Sequence, residues 1–376
     1  SIGKNSLEII KLNKKNFSVK LLSSNSNYKE ILNQIKIFKP TYFVITNYFV
    51  FVKVKSKVKS RKIKILNNFK KIPSNLKFDI TIAAIVGIAG LKPTIQFSKQ
   101  SKKLLLANKE TVICGWHILS KIIKDNKTEL IPIDSEHFSI NQLTHNYKDS
   151  DIKKIYITAS GGPFLRRSLS SFHKIKPKAA YKHPNWNMGK KISIDSSNLM
   201  NKLLELIEAH RLFSFNPIKY EIIIHPQSLI HAIVVFKNGQ SKFLYHETDM
   251  KIPISNAIYN NKVDIDKIVK TNNNFINNLK NISFENVDKK RFPIVTLATE
   301  KYLSKSGPII LNASNEILVD RFIRKKIPYK GIYLSLKRVF KDRDFNKYAV
   351  KKTPSMKEIY KIDRWARNKT LEIINR

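Results

Sequence analysis

Two short runs carry side chains able to hold a divalent cation beside a phosphate. Pro132-Ile133-Asp134-Ser135-Glu136-His137 places two carboxylates at alternating positions just after the apolar run Leu130-Ile131. On an extended backbone both point to one side. Further on, Asn201-Lys202-Leu203-Leu204-Glu205 lies in an apolar-periodic stretch. Helical steps of three and four residues set Asn201, Lys202 and Glu205 on one face. The carboxylates of Asp134, Glu136 and Glu205 suit a hard cation such as Mg²⁺ or Mn²⁺, while the neighbouring amide and ammonium suit phosphate oxygens. Two carboxylates alone would read as a solvated surface pair; a third and the surrounding text argue for a site.

The elements that position these residues change character along the chain. Up to about residue 133, strand candidates Phe17–Leu22, Tyr42–Ile45, Ile80–Ile85, Lys103–Ala107 and Glu129–Ile133 alternate with helix candidates Ser6–Leu12, Tyr28–Phe38, Lys92–Lys99 and Glu110–Lys124. That alternation predicts a parallel sheet wound on both faces, with ligands at the carboxyl ends of its strands. The apolar run Tyr42–Val52 reads as a buried strand with a basic exit. Residues 134–262 predict an α+β unit with antiparallel strands, Ile155–Ala159, Glu221–Ile224, Ile233–Phe236 and Lys242–Tyr245, the last pair joined at Asn238-Gly239. In the turn Ser160-Gly161-Gly162-Pro163-Phe164 the glycines are expected to leave backbone N–H groups free. Residues 263–285 read as a linker. Residues 286–376 read as helical, over Val295–Ser304, Asn312–Ile323, Ile332–Val339 and Ser355–Ile374, with a capping box at Ser355 and Glu358.

With 376 residues the chain predicts two or three domains at ~150 residues each. The single cysteine, Cys114, excludes an internal disulfide and points to a reducing, cytoplasmic setting. Lys and Arg number 70 against 28 Asp and Glu, a net charge of +42. The lysines are scattered through every element and travel with Asn and Ile, as A/T-rich codons would produce, so no specific nucleic-acid partner is expected. A cationic surface does steer anionic substrates inward. No apolar run reaches the ~18 residues of a membrane span, and neither a membrane partner nor a signal peptide is expected.

Read in order, the distinctive runs are Ser1-Ile2-Gly3, Leu106-Ala107-Asn108-Lys109-Glu110, the run 132–137, Thr158-Ala159-Ser160-Gly161-Gly162-Pro163-Phe164, and His183-Pro184-Asn185-Trp186-Asn187-Met188-Gly189. Asp195-Ser196 leading to Asn201-Lys202, Glu208-Ala209-His210-Arg211-Leu212-Phe213, His225-Pro226-Gln227-Ser228 with His231, and Leu311-Asn312-Ala313-Ser314-Asn315-Glu316 complete the series. Over nearly the whole chain this series resembles the 1-deoxy-D-xylulose-5-phosphate reductoisomerase family of the non-mevalonate isoprenoid pathway. The resemblance implies a Rossmann-like NADPH-binding domain, an α+β catalytic domain, a C-terminal helical bundle and a homodimer. It also implies metal-dependent isomerisation of 1-deoxy-D-xylulose 5-phosphate, then NADPH-dependent reduction to 2-C-methyl-D-erythritol 4-phosphate.

By the same resemblance Asp134, Glu136 and Glu205 match the metal ligands. Lys109, Ser135, Ser160, His183, Ser196, Asn201 and Lys202 match the pocket for the phosphorylated sugar. Trp186 and Met188 match a flap that closes over it, and Ser1, Ile2, Asn27, Asn108, Glu110 and Gly189 fall at cofactor-binding positions. His225 and His231 are ambiguous from sequence, structural histidines at strand ends being one reading, and they stay outside the catalytic set. Two departures stand out. Of the family's glycine-rich nucleotide loop only the tail Ser1-Ile2-Gly3 is present, which reads as a truncated start, genuine loss being the alternative. Where relatives carry a lysine for the cofactor's 2′-phosphate the chain reads Asn25-Ser26-Asn27, so NADPH over NADH stays open. Two rival readings are a polyanion-binding protein, supported by charge alone, and a degenerate member that keeps the fold without the cofactor site.

Overall fold

Short apolar runs ending in polar or small residues lay down six parallel strands in the first third of the chain. The computed structural model describes residues 1–186, 188–270 and 275–376, apart from the side chains of residues 300 and 301. Strands β1 (Leu21–Ser24), β2 (Tyr42–Ile45) and β3 (Lys64–Leu66) form one three-stranded parallel sheet; β4 (Phe78–Ala83), β5 (Ser101–Leu106) and β6 (Glu129–Pro132) form another. β2 is buried at every position, as expected for a strand covered on both faces. The helix Tyr28–Phe38 buries Ile31, Ile35 and Phe38, the helical spacing of one face, and Asn27 caps it by accepting from the Glu30 N–H.

Several sequence expectations shift here. The run Tyr42–Val52 is a strand only to Ile45. Asn47 then accepts the Val50 N–H at 3.0 Å and starts the helix Tyr48–Lys57, leaving Tyr48 and Phe49 exposed. A local cap overrides apolar content, as asparagine does before helices. The predicted strand Phe17–Leu22 slides to β1 because Phe17 packs edge-on against Tyr259 instead. β3 had no sequence signal.

A third sheet, of five strands, is mixed, in the order β10-β9-β7-β8-β11, with β7 (Ile152–Ala159), β8 (Tyr220–Ile224), β9 (Ile230–Phe236), β10 (Ser241–Tyr245) and β11 (Glu285–Asn286). β7 and β8 run parallel and the other pairs antiparallel, so the all-antiparallel expectation is corrected at its centre. Gly239, at φ +88°, makes the β9–β10 turn. The expected linker contains the helix Phe275–Lys280, and its last residue, Glu285, pairs with β8; residues 271–274 of it lie outside the described residues. The predicted helix Val295–Ser304 is two short turns, Pro293–Leu297 and Glu300–Leu303. The capping box at Ser355 is present in both directions.

The cores cross the borders read from composition. The helix Lys251–Tyr259 packs Ile254, Ala257 and Ile258 against Leu105, Ile131 and Ile133 of the first unit. Leu91, Ile113 and Cys114 share one core with Leu203, Leu204 and the C-terminal helices. A kink serves this junction. Gly115 leaves helical geometry inside the helix Lys109–Asp125, where a Cβ would meet Leu91 Cδ1 at 2.6 Å. The carbonyls of Val112 and Ile113 then accept from the Arg211 guanidinium, at 2.7 Å for Val112. Arg211→Met should leave those carbonyls unpaired and cost about 1–3 kcal/mol, read as a lower urea midpoint with unchanged helix content.

Candidate active site

Adjacent parallel strands deliver the first charged groups. β5 leads through Asn108 to Lys109, the first residue of the helix Lys109–Asp125, and β6 leads to Asp134. Asp134 is the N-cap of the helix Ser135–Thr144 and Glu136 lies in that helix's first turn. The extended alternation expected from the sequence is therefore not what aligns them; the chain turns into a helix at Asp134, whose positive end favours both carboxylates. Glu205 arrives from the buried helix Met200–Leu212. One oxygen from each of Asp134, Glu136 and Glu205 lies within 4.8 Å of the others.

Cations hold this cluster together. The Lys202 ammonium donates to Glu136 and to Glu205 Oε2, the latter at 2.7 Å, and Asn201 Nδ2 donates to Glu205 Oε1. Lys109 Nζ donates to Asn201 Oδ1 at 2.8 Å and stands 3.7 Å from both Asp134 and Glu205. Burial opposes charge on both lysines, yet the carboxylates win and raise both ammonium pKa values. Burial, then Glu136, pushes Glu205 up to about 8. Negative charge in the cluster is thus incompletely compensated, the electrostatic condition that a divalent cation relieves.

Two more titratable groups stand behind the carboxylates, and neither was assigned a role from sequence. Glu208, one helical step from Glu205, is buried with Oε2 3.9 Å from Lys109 and 3.8 Å from His137 Nδ1. His137 is fully buried, its Nε2 2.9 Å from the Glu205 carbonyl and its Nδ1 3.3 Å from Asp134 Oδ1. Burial alone would discharge His137; Glu208 and Asp134 reverse this and lift it to about 9. Asp134 Oδ1, His137 Nδ1 and Glu208 Oε2 have no hydrogen-bond partner among the described residues. The i,i+3 spacing of Glu205 and Glu208, and His137 within the 132–137 run, were the available signals.

The second half of the site follows β7. Gly161 and Gly162 have φ of +76° and +64°, and a Cβ on Gly162 would come within 2.8 Å of Ser197 Cα, so this turn abuts the Ser196–Ser197 backbone. Gly162 N–H is not free as expected: it donates to Ser160 Oγ at 3.1 Å. His183 Nδ1 accepts the N–H groups of Asn185 and Trp186 at 3.1 and 3.0 Å. Burial, then Lys202, holds its pKa down to about 4. The neutral ring therefore carries its proton on Nε2 and donates it to Ser160 Oγ, 2.9 Å away. With two donors already accepted, the Ser160 hydroxyl hydrogen is left to donate outward. Ser196 is buried and its hydroxyl has no partner among the described residues. Ser135 Oγ is turned inward, 2.5 Å from Glu136 Oε2.

The stretch after His183 is tethered to a histidine-rich wall. Asn185 Nδ2 donates to the Pro226 carbonyl and Ser228 Oγ at 2.6 and 3.0 Å, and Trp186 meets His231 edge-on at 5.9 Å. Met188 is half-buried and Asn187 lies outside the described residues. His231, ambiguous from sequence, packs against the tryptophan and stacks on His246 at 3.9 Å.

The remaining sequence candidates lie at element starts. Ser1 and Ile2 open the helix Ile2–Leu12, Asn27 caps the next, and Gly189 precedes Lys190–Ser197. Asn108 is buried as a brace: Oδ1 takes the Thr111 N–H, while Nδ2 reaches the carbonyls of Ile85 and Gly87 and Glu110 Oε2.

Known proteins resemble this chain in sequence and fold. Family profiles described as 1-deoxy-D-xylulose 5-phosphate reductoisomerase, its C-terminal domain, and DXP reductoisomerase C-terminal domain match residues 1–115, 130–213 and 246–369. The 1-deoxy-D-xylulose 5-phosphate reductoisomerase of Pelagibacter ubique (strain HTCC1062) is 43% identical over 371 residues, covering 96% of this chain and 94% of its own. That of Wolbachia sp. subsp. Drosophila simulans (strain wRi) is 38% identical, covering 88% and 85%. A crystal structure of DOX-P reductoisomerase with NADPH, fosmidomycin and magnesium superposes with a TM-score of 0.92 at 30% identity, over 100% of this chain and 96% of that one. The Zymomonas mobilis enzyme with NADPH gives 0.88 at 31%, with the same coverage.

Burial holds His246 down to about 4 and His231 well below its usual range. Above about pH 6.5 both are neutral folded or unfolded; below it only the unfolded chain takes up protons. Stability should therefore fall as pH drops from about 6.5 to 4, by up to about 1.4 kcal/mol per pH unit per histidine. His246→Gln should flatten this slope in urea titrations repeated across pH.

Proposed function

Because this chain belongs to the 1-deoxy-D-xylulose 5-phosphate reductoisomerase family, an NADPH- and metal-dependent oxidoreductase family of isoprenoid precursor biosynthesis, we propose how its own residues divide that work. Asp134, Glu136 and Glu205 would hold the divalent cation. The all-oxygen donor set and the raised pKa of Glu205 fit a hard ion of the Mg²⁺ or Mn²⁺ kind. NADPH fits the carboxyl ends of the parallel strands. The helix Ile2–Leu12 has no acidic residue in its first turn, and Val86, 81% exposed after β4, offers an apolar face to a ring.

A bound cation supplies Lewis-acid polarisation of the ketone and alignment of neighbouring substrate oxygens. Lys109, kept cationic among carboxylates, offsets negative charge developing on the sugar oxygens during rearrangement. Ser160 donates its free hydroxyl hydrogen to the substrate phosphate, and Ser196 has an uncommitted hydroxyl for the same anion. Lys202 and Asn201, engaged here with Glu136 and Glu205, turn toward the substrate when those carboxylates take up ligation. Trp186 and Met188 cover the carbon skeleton and exclude water while hydride passes. The carrying observation is the convergence of three carboxylates from two distant segments with two buried ammonium groups.

We also assign the three units read from sequence (1–133, 134–262, 286–376), a homodimer and a cytoplasmic setting. Among the described residues no helix is long and apolar enough to cross a membrane, and Cys114 is buried and unpaired. The outer edge of β10, with Phe243 half-exposed, supports the second unit as the self-association face.

Glu205→Gln should remove metal-dependent NADPH oxidation with deoxyxylulose phosphate by more than the ~10–100-fold typical of residues behind a metal's ligands, with an unchanged circular dichroism spectrum. Full activity in that variant would defeat the metal assignment. Ser160→Ala should raise KM for the sugar phosphate about tenfold while kcat changes less, since a charge-assisted hydrogen bond is lost.

A further inference from the structure

The open question at the cofactor site is how the 2′-phosphate is read. In a doubly wound sheet the adenosine ribose lies at the carboxyl end of the strand that follows the first helix, about 20 residues beyond the nucleotide loop. Here that place is the end of β1, residues 23–27, which reads Ser-Ser-Asn-Ser-Asn. It holds no carboxylate to bind a free 2′-hydroxyl and no cation to bind a phosphate. Its amides are already engaged: Asn25 Oδ1 accepts from Thr46 Oγ1 at 3.1 Å, and Asn27 Oδ1 accepts from the Glu30 N–H at 3.2 Å. Ser23 and Ser26 are exposed and their hydroxyls have no partner among the described residues; Ser26 is the one that directly precedes the helix cap.

One cation reaches this place from another element. The helix Tyr48–Lys57 follows β2, and its Lys53 ammonium lies 4.6 Å above the ring centre of Tyr28, the first residue of the helix that Asn27 caps. Tyr28 is set by packing against the core of Ile31, Val54 and Val50, so the ring fixes where Lys53 stands. Lys53 has no carboxylate partner among the described residues. None is near in sequence either, since residues 31–78 contain no Asp or Glu. A further cation, Lys4, is paired with Glu30 at 3.1 Å.

We propose that Lys53, carried on the second crossover helix and positioned by the Tyr28 ring, binds the 2′-phosphate of NADPH together with the Ser26 hydroxyl and the capped helix start. The inference rests on the cofactor reading above and adds the residue that sets its selectivity. An ammonium stacked on an aromatic face keeps its outward N–H groups for an anion. The neighbouring N–H groups of the helix first turn add to the attraction.

The test is equilibrium binding to the full-length protein of NADPH, NADH and adenosine 2′,5′-bisphosphate, by nicotinamide fluorescence for the first two and calorimetry for the third. Lys53→Ala should weaken NADPH and the bisphosphate roughly tenfold or more and leave NADH unchanged, and Lys53→Arg should restore most of the loss. Tyr28→Leu should weaken NADPH in the same selective way. The proposal is overturned if Lys53→Ala leaves the NADPH-to-NADH ratio intact, weakens both dinucleotides equally, or is outdone by Lys29→Ala. Wild-type protein that bound neither dinucleotide would overturn the cofactor reading as well, so the two failures are distinguishable.

Discussion

Everything at the site depends on one electrostatic balance: buried carboxylates pressed together and held by buried ammonium groups. Glu136, Glu205 and Glu208 are buried and the Asp134 side chain is 22% exposed, and Lys109 and Lys202 are their counter-charges. Taking any one of these ions out of water costs several kcal/mol, which is recovered only with partners in good geometry. That requirement explains why the helix Met200–Leu212 is buried along nearly its whole length. It also explains why strands β5 and β6 must lie side by side: their ends fix Lys109 and Asp134 at the separation the balance needs.

The scaffold is organised around that requirement. The C-terminal helices share a core with the helices bearing Lys109 and Glu205. They also reach the end of the helix Lys190–Ser197, just before Asn201, directly. Tyr329 donates to the Ser197 carbonyl at 2.7 Å and Asn315 to Asp195 at 2.9 Å. Two residues beyond Ser197, Leu199 adopts the left-handed region at φ +64°, a conformation a non-glycine residue holds only when its surroundings impose it.

Much of this was legible in the sequence, and the failures have definite causes. Runs such as Tyr42–Ile45 and the 3.6-period of Tyr28–Phe38 gave their elements directly, because burial on both faces or on one stripe leaves a pattern. Asp134, Glu136 and Glu205 were found by chemistry and spacing, though by the wrong local geometry for the first two: a helix start mimics strand alternation over three residues. The helix after Asn47 was missed because one capping amide outweighed a run of apolar residues. Glu208 and His137 were passed over because nothing in sequence separates a buried charge partner from an ordinary surface one. The free hydrogen of Ser160 was out of reach too, since it follows from two backbone N–H groups that meet His183 only in three dimensions.

Most of the lysines behind the chain's net charge of +42 stand apart from this balance. What cannot vary is the set of interior polar clamps, Asn108 among them, whose amide ties two strand-end loops while starting a helix. Replacement of such a clamp by lysine or isoleucine would strand several main-chain groups at once. A chain under steady pressure from its codon supply can therefore accumulate lysine, asparagine and isoleucine over its skin almost without limit. The same pressure meets a hard boundary a single layer beneath.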